Sequence, residues 1–422
     1  MSPELWGAAG VIALLALLTL GLPIGVALAA VGAGGIAILV TPEAALIKAG
    51  VVAFETIAKY ELGVLPLFLL MAHLCFAAGA SRDFFDAAAR FIGHRPGGLA
   101  LASIAGCAGF GAISGSSLAT AATIGSVALP EMRKHHYSPA FATGALAAGG
   151  TLGALIPPSG ALIVFGIIAE QSIGRLFAAA VIPGLSQALF YMVGIYILCR
   201  MWRDRLPALR RIIDIVALVV FVVGGLMVGW FTPTEAASVG AVGSFLLCAI
   251  RGALTRAAIT KALSDTLRTT GMIYVVIIGA ILFSTFVSLT GITGHMSALV
   301  ADLDAGPLAA ILVMTLLLLV LGSFLDGLAL MLLTAPIFLP IIIDLGLSPI
   351  WFGIFLVRTM EIGFVHPPLG LNCYVIHGIA KDIPLGTIFR GIVPFLAIDF
   401  VHLAVIIAFP AVTLWLPKVL GA

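Results

Sequence analysis

Long stretches with hardly a charge recur from one end of this chain to the other, and they leave few folds open to it. Residues 4–40, 62–80, 98–130, 139–170, 176–199, 212–250, 270–290, 307–342, 349–379 and 390–416 are all of this kind. A helix needs about 20 predominantly apolar residues to cross the hydrocarbon core of a bilayer. A backbone at that depth must satisfy its own hydrogen bonds, which leaves helices or a closed barrel. Barrel strands read as short segments of alternating polarity. These runs are long and rich in Leu, Ile, Ala and Gly, which selects helices. Composition settles one further point. With 62% hydrophobic and 9% charged residues, a 422-residue chain cannot clothe a soluble surface. The sequence is therefore read as an all-α integral membrane protein whose surroundings are a lipid bilayer.

Other classes fall away. A formal net charge of +2 argues against a nucleic-acid partner. The start, Met1 to Trp6, has no basic region of the kind that opens a cleaved signal peptide. The five cysteines, Cys75, Cys107, Cys199, Cys248 and Cys373, sit inside apolar stretches at spacings that fit neither a metal site nor a disulfide framework. The eight histidines form no metal-ligand pattern, and only His366 lies beside a helix break. No Ser/His, paired-Asp or His-Glu-x-x-His arrangement suggests an enzyme. No Gly-x4-Gly-Lys-Ser/Thr loop suggests ATP coupling within the chain, and no cofactor is expected.

The chain contains itself twice. At an offset of 210 residues, Pro23 meets Pro233, Leu129–Pro130 meets Leu339–Pro340, and Ser138–Pro139 meets Ser348–Pro349. Gly153 likewise meets Gly363, and Pro157-Pro158-x-Gly160 meets Pro367-Pro368-x-Gly370. One offset aligns the helix breakers of both halves. The first repeat takes residues 1–200, a basic linker takes 201–211, and the second repeat takes 212–422. Within the first, Gly21–Leu22–Pro23 divides residues 4–40 into two segments, and 41–61 are mixed and amphipathic.

Residues 98–130 and 307–342 are each interrupted by small polar residues, as re-entrant hairpins would be. Each half then makes about five crossings plus one hairpin, and an odd number of crossings inverts the second half. The basic residues test this arrangement. Of the 21 Lys and Arg, only Lys48, Lys59, Arg175 and Lys418 fall on one face, Arg358 lies within a span, and all others fall on the opposite face. The positive-inside rule makes the rich face cytoplasmic. Both termini then lie outside, hairpin 98–130 enters from the cytoplasm, and hairpin 307–342 enters from the opposite side.

Irregular backbone at membrane depth is tolerated where it is buried or lines a cavity. Freed carbonyls there attract cations, and half-helix N-termini attract anions. Inverted halves with broken helices point to a secondary transporter with its site at the repeat interface. The first tip holds Ser114, Gly115, Ser116 and Ser117. Small residues turn tightly and hydroxyls are oxygen ligands. Close helix packing is the competing reading, disfavoured by three serines around a glycine where a tip is required. In the second tip, Asp326 precedes Gly327 and aligns with Ser116. It is either an N-cap or a cation ligand.

The second broken helix carries Arg358, Glu361, His366, Pro367, Pro368, Gly370 and Asn372. Ionisable residues in a span are costly and usually functional. Arg358 and Glu361, three apart, can share a face and pair, as a structural ion pair or as part of a substrate site. Asn372 offers a carbonyl to a cation or satisfies loose backbone. Thr151, Pro157, Pro158, Ser159 and Gly160 occupy the matching positions of the first half. Candidate cation ligands are therefore Ser114, Gly115, Ser116, Ser117, Asp326, Gly327, Gly370 and Asn372. Candidate substrate contacts are Ser116, Thr151, Pro158, Ser159, Arg358, Glu361 and Pro368.

The run Ser114-Gly115-Ser116-Ser117-x-Ala119, with Ile124–Gly125 and Pro130–Glu131–Met132 after it, resembles the first hairpin of the large membrane subunit (M, or DctM-like) of the tripartite ATP-independent periplasmic (TRAP) transporters. Leu152–Gly153, Pro157-Pro158-Ser159, Asp326, and Glu361-Ile-Gly363 through Asn372 resemble it too, so the likeness covers nearly the whole chain. It implies an elevator-type importer in a bacterial inner membrane, coupled to Na+ and carrying an organic acid such as a C4-dicarboxylate or sialic acid. It also implies a small four-helix Q (DctQ-like) subunit, here a separate polypeptide, and a periplasmic substrate-binding protein. Arg358 and His366 are not matched to the family pattern, and bear either on substrate choice or on packing. The alternative is a stand-alone divalent-anion/sodium symporter of related architecture, which would transport without a binding protein.

Overall fold

Of the breakers seen in the sequence, Pro23, Pro139, Pro233 and Pro349 stand at helix starts, whereas Pro130 and Pro340 lie inside continuous helices, within a few residues of their C-terminal ends. The computed structural model describes residues 2–200, 221–291, 306–323, 325, 327–367 and 370–421. Their regular structure is helical, with no strand among the described residues. The basic linker 201–211, the tip residue Asp326 and the break residue Pro368 lie outside the described residues.

Helix α1 (Pro3–Thr19) ends before Gly21, whose φ is +81°, and α2 (Ile24–Leu39) begins after Pro23. The amphipathic segment forms α3 (Pro42–Ala58), opened by Thr41, whose hydroxyl accepts from the Ala44 amide at 3.1 Å. Helices α4 (Val64–Ala77) and α5 (Ala80–Ile92) meet at 66° across Ala78 and Gly79, where Gly79 has φ +82°. The first hairpin is α6 (Gly98–Ser114) and α7 (Ser117–Lys134). The broken helix is α8 (Pro139–Gly150), a single turn α9 (Leu152–Leu155) and α10 (Gly160–Ile168), bent by 42°. Helix α11 (Ile173–Arg200) completes the half.

The second half presents α12 (Pro233–Ile250), α13 (Arg256–Thr290), the hairpin α14 (Gly306–Gly322) and α15 (Gly327–Asp344), then α16 (Pro349–Gly363) and α17 (Leu371–Ile379) about the second break, and α18 (Leu385–Ala408) and α19 (Ala411–Val419). Shifted by 210 residues, α7 and α15 start and end at the same positions, and α8 and α16 start together at a proline. Helices α11, α12, α13 and α18 are each long and apolar enough to cross a membrane, and α4–α5 and α8–α10 are so as bent pairs.

The structure differs from the sequence reading at several elements: the run 390–416, read as one segment, is divided into α18 and α19 at Phe409–Pro410, and two further differences have local causes. Helix α13 begins at Arg256, well before the apolar run at 270, because Thr255 caps it and backbone hydrogen bonding does not stop where polarity changes. Helix α5 lies where the sequence reading assigned no segment; it is amphipathic, burying Phe84 and Phe85, so it lacks the continuous apolar run by which spans are found.

The helices sort into two groups, each drawn from both halves. Helices α2 and α13 pack along one another, as do α4 and α12, with α1 and α3 beside them. Helices α5 to α11 and α14 to α19 make the other group, in which α8 packs along α18 and α7 against α17. In the first group a Cβ on Gly32 would lie 2.5 Å from the Phe283 backbone nitrogen, so only glycine permits that approach. At the rim of the second, Arg133 of α7 donates to Asp382 at 2.8 Å, joining the first hairpin to the loop after α17 and holding the Asp382 carboxyl below its ordinary range.

Candidate functional site

The first hairpin tip exists because Gly115 adopts φ +58°, in the left-handed region. A Cβ there would lie 2.8 Å from the Pro158 carbonyl oxygen, and the Gly160 amide donates to the Gly115 carbonyl at 3.3 Å. The tip is thereby laid against the break between α9 and α10. Two glycines related by the 210-residue offset hold the broken helices to the hairpins. A Cβ on Gly153 would lie 2.5 Å from the Ser116 carbonyl oxygen, and one on Gly363 would lie 2.9 Å from the Gly322 carbonyl carbon.

Each serine of the tip has a distinct place. Ser114 Oγ bonds to Thr120 Oγ1 at 2.7 Å. Ser116 caps α7, accepting from the Ala119 amide at 3.4 Å. Ser117 is buried and reaches the Gly150 carbonyl at 3.1 Å and Glu361 Oε2 of the second half. One hydroxyl proton cannot serve both acceptors fully. The other carboxyl oxygen, Glu361 Oε1, is buried with no hydrogen-bond partner. Asn372 Nδ2 donates to the Ala147 carbonyl at 3.2 Å, while its Oδ1 is also buried without a partner. A Cβ on Gly150 would lie 3.0 Å from Asn372 Nδ2, which places Asn372 beside the residue whose carbonyl Ser117 contacts. Ser117, Glu361, Gly150 and Asn372 thus form an oxygen-rich cluster with surplus acceptors, the donor set a hard cation takes. Among the described residues no group of three His, Cys, Asp or Glu side chains offers a site for a softer metal.

A cavity of about 710 Å³ lies between the two helix groups. Ser114, Gly115, Ser116, Ser117, Pro158, Gly327 and Glu361 face it from one side, and Ile24, Leu65, Phe68 and Met272 from the other. Three half-helices, α7, α10 and α15, start at or beside its lining.

Several expected substrate contacts stand elsewhere. Arg358 is fully buried and does not pair with Glu361. Its Nη2 donates to Asp399 of α18 at 2.5 Å, and its Nε to His402 Nδ1 at 3.2 Å. The three-residue spacing permitted the Glu361 pair, but packing of α16 on α18 supplied a nearer carboxylate. Asp399 Oδ1 also accepts from Tyr191 at 2.5 Å and Gln187 at 2.8 Å. Thr151 belongs to this interior network, bonding Tyr191 Oη at 3.1 Å, rather than to the cavity. Ser159 caps α10 and donates to the Ala154 carbonyl at 2.5 Å, so its hydroxyl is occupied locally. Gly370, at φ +54°, opens α17, which starts at Leu371, without lining the cavity. His366 lies beside the second break with Nδ1 buried and unpartnered. Asp399, Tyr191 and Gln187 escaped the sequence reading. Asp399 carried a usable signal, as a carboxylate amid the apolar run 390–416.

A family model described as "Tripartite ATP-independent periplasmic transporter, DctM component" matches residues 11–412. The C4-dicarboxylate TRAP transporter large permease protein DctM of Pseudomonas aeruginosa is 38% identical over 379 residues, covering 87% of this chain and 88% of that protein. The sialic acid TRAP transporter large permease protein SiaM of Vibrio cholerae is 33% identical over 373 residues, covering 86% and 87%. Among solved structures, the Alcanivorax borkumensis YdaH transporter superimposes with TM-score 0.61 at 13% identity, covering 83% of this chain and 85% of that one, a likeness of fold alone.

Proposed function

We propose that this chain, which belongs to the DctM family of tripartite ATP-independent periplasmic transporters, is the large membrane subunit of a sodium-driven importer of an organic acid. The observation that carries this reading is the cavity between the two helix groups. The serine tip, Pro158 at the break and Glu361 face it from one group, and an apolar wall faces it from the other. In this reading α1 to α4, α12 and α13 are the stationary scaffold. The remaining helices are the carrier, which moves past the scaffold as an elevator.

The chemistry of the site follows from its residues. Ser117, Glu361 and Asn372 present oxygens to a co-transported sodium ion, and the second tip at Asp326 and Gly327 contributes to a related position. The solute is a carboxylate, held by the N-terminal ends of α7, α10 and α15 together with sodium rather than by basic side chains. Sodium and solute then favour each other's binding, and linkage makes the effect mutual. A periplasmic binding protein delivers the solute, and a four-helix membrane subunit supports the scaffold in the inner membrane, with both termini of this chain on the periplasmic face. Uptake into proteoliposomes holding the complex with its small subunit and binding protein tests this. Accumulation should follow the sodium gradient. Full uptake in proton or potassium buffers without sodium overturns the reading.

A further inference from the structure

We infer that the solute is a monocarboxylate with an apolar body, rather than a dicarboxylate or a polyhydroxylated acid. This narrows the substrate of the transport reading above and rests on it. Among the described residues lining the cavity there is no Lys, Arg or His, and the single ionisable side chain is the carboxyl of Glu361. Arg358, one turn from Glu361 along α16, is buried behind the cavity and committed to Asp399.

Among the described residues, positive potential therefore enters from one side only, at the starts of α7, α10 and α15, where amides point outward, and from any cation held by the oxygens beside them. One carboxylate can lie there. A second carboxylate, or a chain of hydroxyls, would have to lie against the opposite wall. That wall is built from Ile24, Leu65, Phe68, Leu69, Met272 and Val276, and among the described residues Thr269 is the only polar side chain on it. Polar groups placed against such a surface lose water and gain no partner, whereas an alkyl or aryl body gains burial. A dicarboxylate would also bring two negative charges into a cavity that already holds one carboxyl group. Discrimination against a ligand with one unpaired polar group is at least about tenfold.

The test uses the purified complex of this chain with its small membrane subunit, in sodium buffer. All five native cysteines are buried, so Met272→Cys, at an exposed position on the apolar wall, supplies the reactive thiol. Protection of this thiol is measured with 4-methylpentanoate, phenylacetate, succinate and gluconate. The first two should protect half-maximally at concentrations at least about tenfold below the others. Phe68→Asn, or Leu69→Asn if the first fails to assemble, should bring that ratio close to one. Succinate or gluconate protecting as well or better, or no solute protecting at all, overturns the inference. Sodium-dependent uptake with the binding protein present separates the two readings. If succinate or gluconate is taken up and the monocarboxylates are not, the substrate class falls while the transport reading stands. If no carboxylate is taken up with sodium, the transport reading itself falls.

Discussion

Replacing Arg358 by Gln isolates an ion pair that is buried on both sides. In the native protein the guanidinium donates to Asp399 at 2.5 Å and to His402 at 3.2 Å, with both charged side chains removed from solvent. The substitution leaves Asp399 buried with only Tyr191 and Gln187 as donors. Asp399 Oδ2 already has no hydrogen-bond partner, so the site has no reserve of donors. Breaking a buried pair from one side costs about 3–5 kcal/mol, because a charge is left uncompensated. Removing both charges together, as Arg358→Met with Asp399→Leu, should recover most of that loss. Denaturant unfolding of the detergent-solubilised complex reads both effects. Because Arg358 does not line the cavity, the protein that remains folded should keep its half-saturating solute concentration and its sodium dependence. An Arg358→Gln protein as stable as the parent, or a double replacement no better than the single one, refutes the reasoning. Loss of uptake without loss of stability would return Arg358 to the substrate site.

Three further outcomes are expected. Ser117→Ala and Glu361→Gln should each raise the sodium concentration needed for half-maximal uptake by about tenfold or more, as loss of a cation ligand does, and an unchanged sodium profile in both removes that cluster from the ion site. Gly153→Ala and Gly363→Ala, whose new Cβ atoms would meet hairpin backbone at 2.5 and 2.9 Å, should destabilise the complex by about 1–3 kcal/mol in unfolding experiments, while Gly378→Ala, which meets nothing within 4 Å, should not. Arg251 pairs with Asp83 and donates to the Ala78 carbonyl at 3.2 Å, spanning the bend between α4 and α5; Arg251→Gln should lower maximal uptake more than solute affinity, with partial recovery in the exchanged pair Arg251→Asp, Asp83→Arg.

Much of this architecture is written along the chain. Proline and glycine act within a turn or two of their own position, so the hairpin at Ser114–Ser117, the break at Pro157–Pro158 and their counterparts 210 residues later could be located from spacing alone. Membrane residence was equally legible, because it depends on unbroken apolar length. The candidate residues at the first tip, Pro158 and Glu361 do face one cavity, since a break at membrane depth has to be accommodated there. What the sequence left open was which distant groups meet. Arg358 could pair with Glu361 by helical spacing, yet Asp399, on another helix, takes it. Thr151 matches the second-half site in sequence but bonds inward to Tyr191. Helices α1 to α4 join α12 and α13 rather than the hairpin and broken helix that follow them. By itself the sequence determined most of the helix breaks, such as those at Gly21–Pro23, Ser114–Ser117 and Pro157–Pro158, because those events are governed by local hydrogen bonding and sterics. Only the tertiary structure decided which buried charges are compensated and which oxygens stay available, because that depends on the nearest partner in space once the helices are packed.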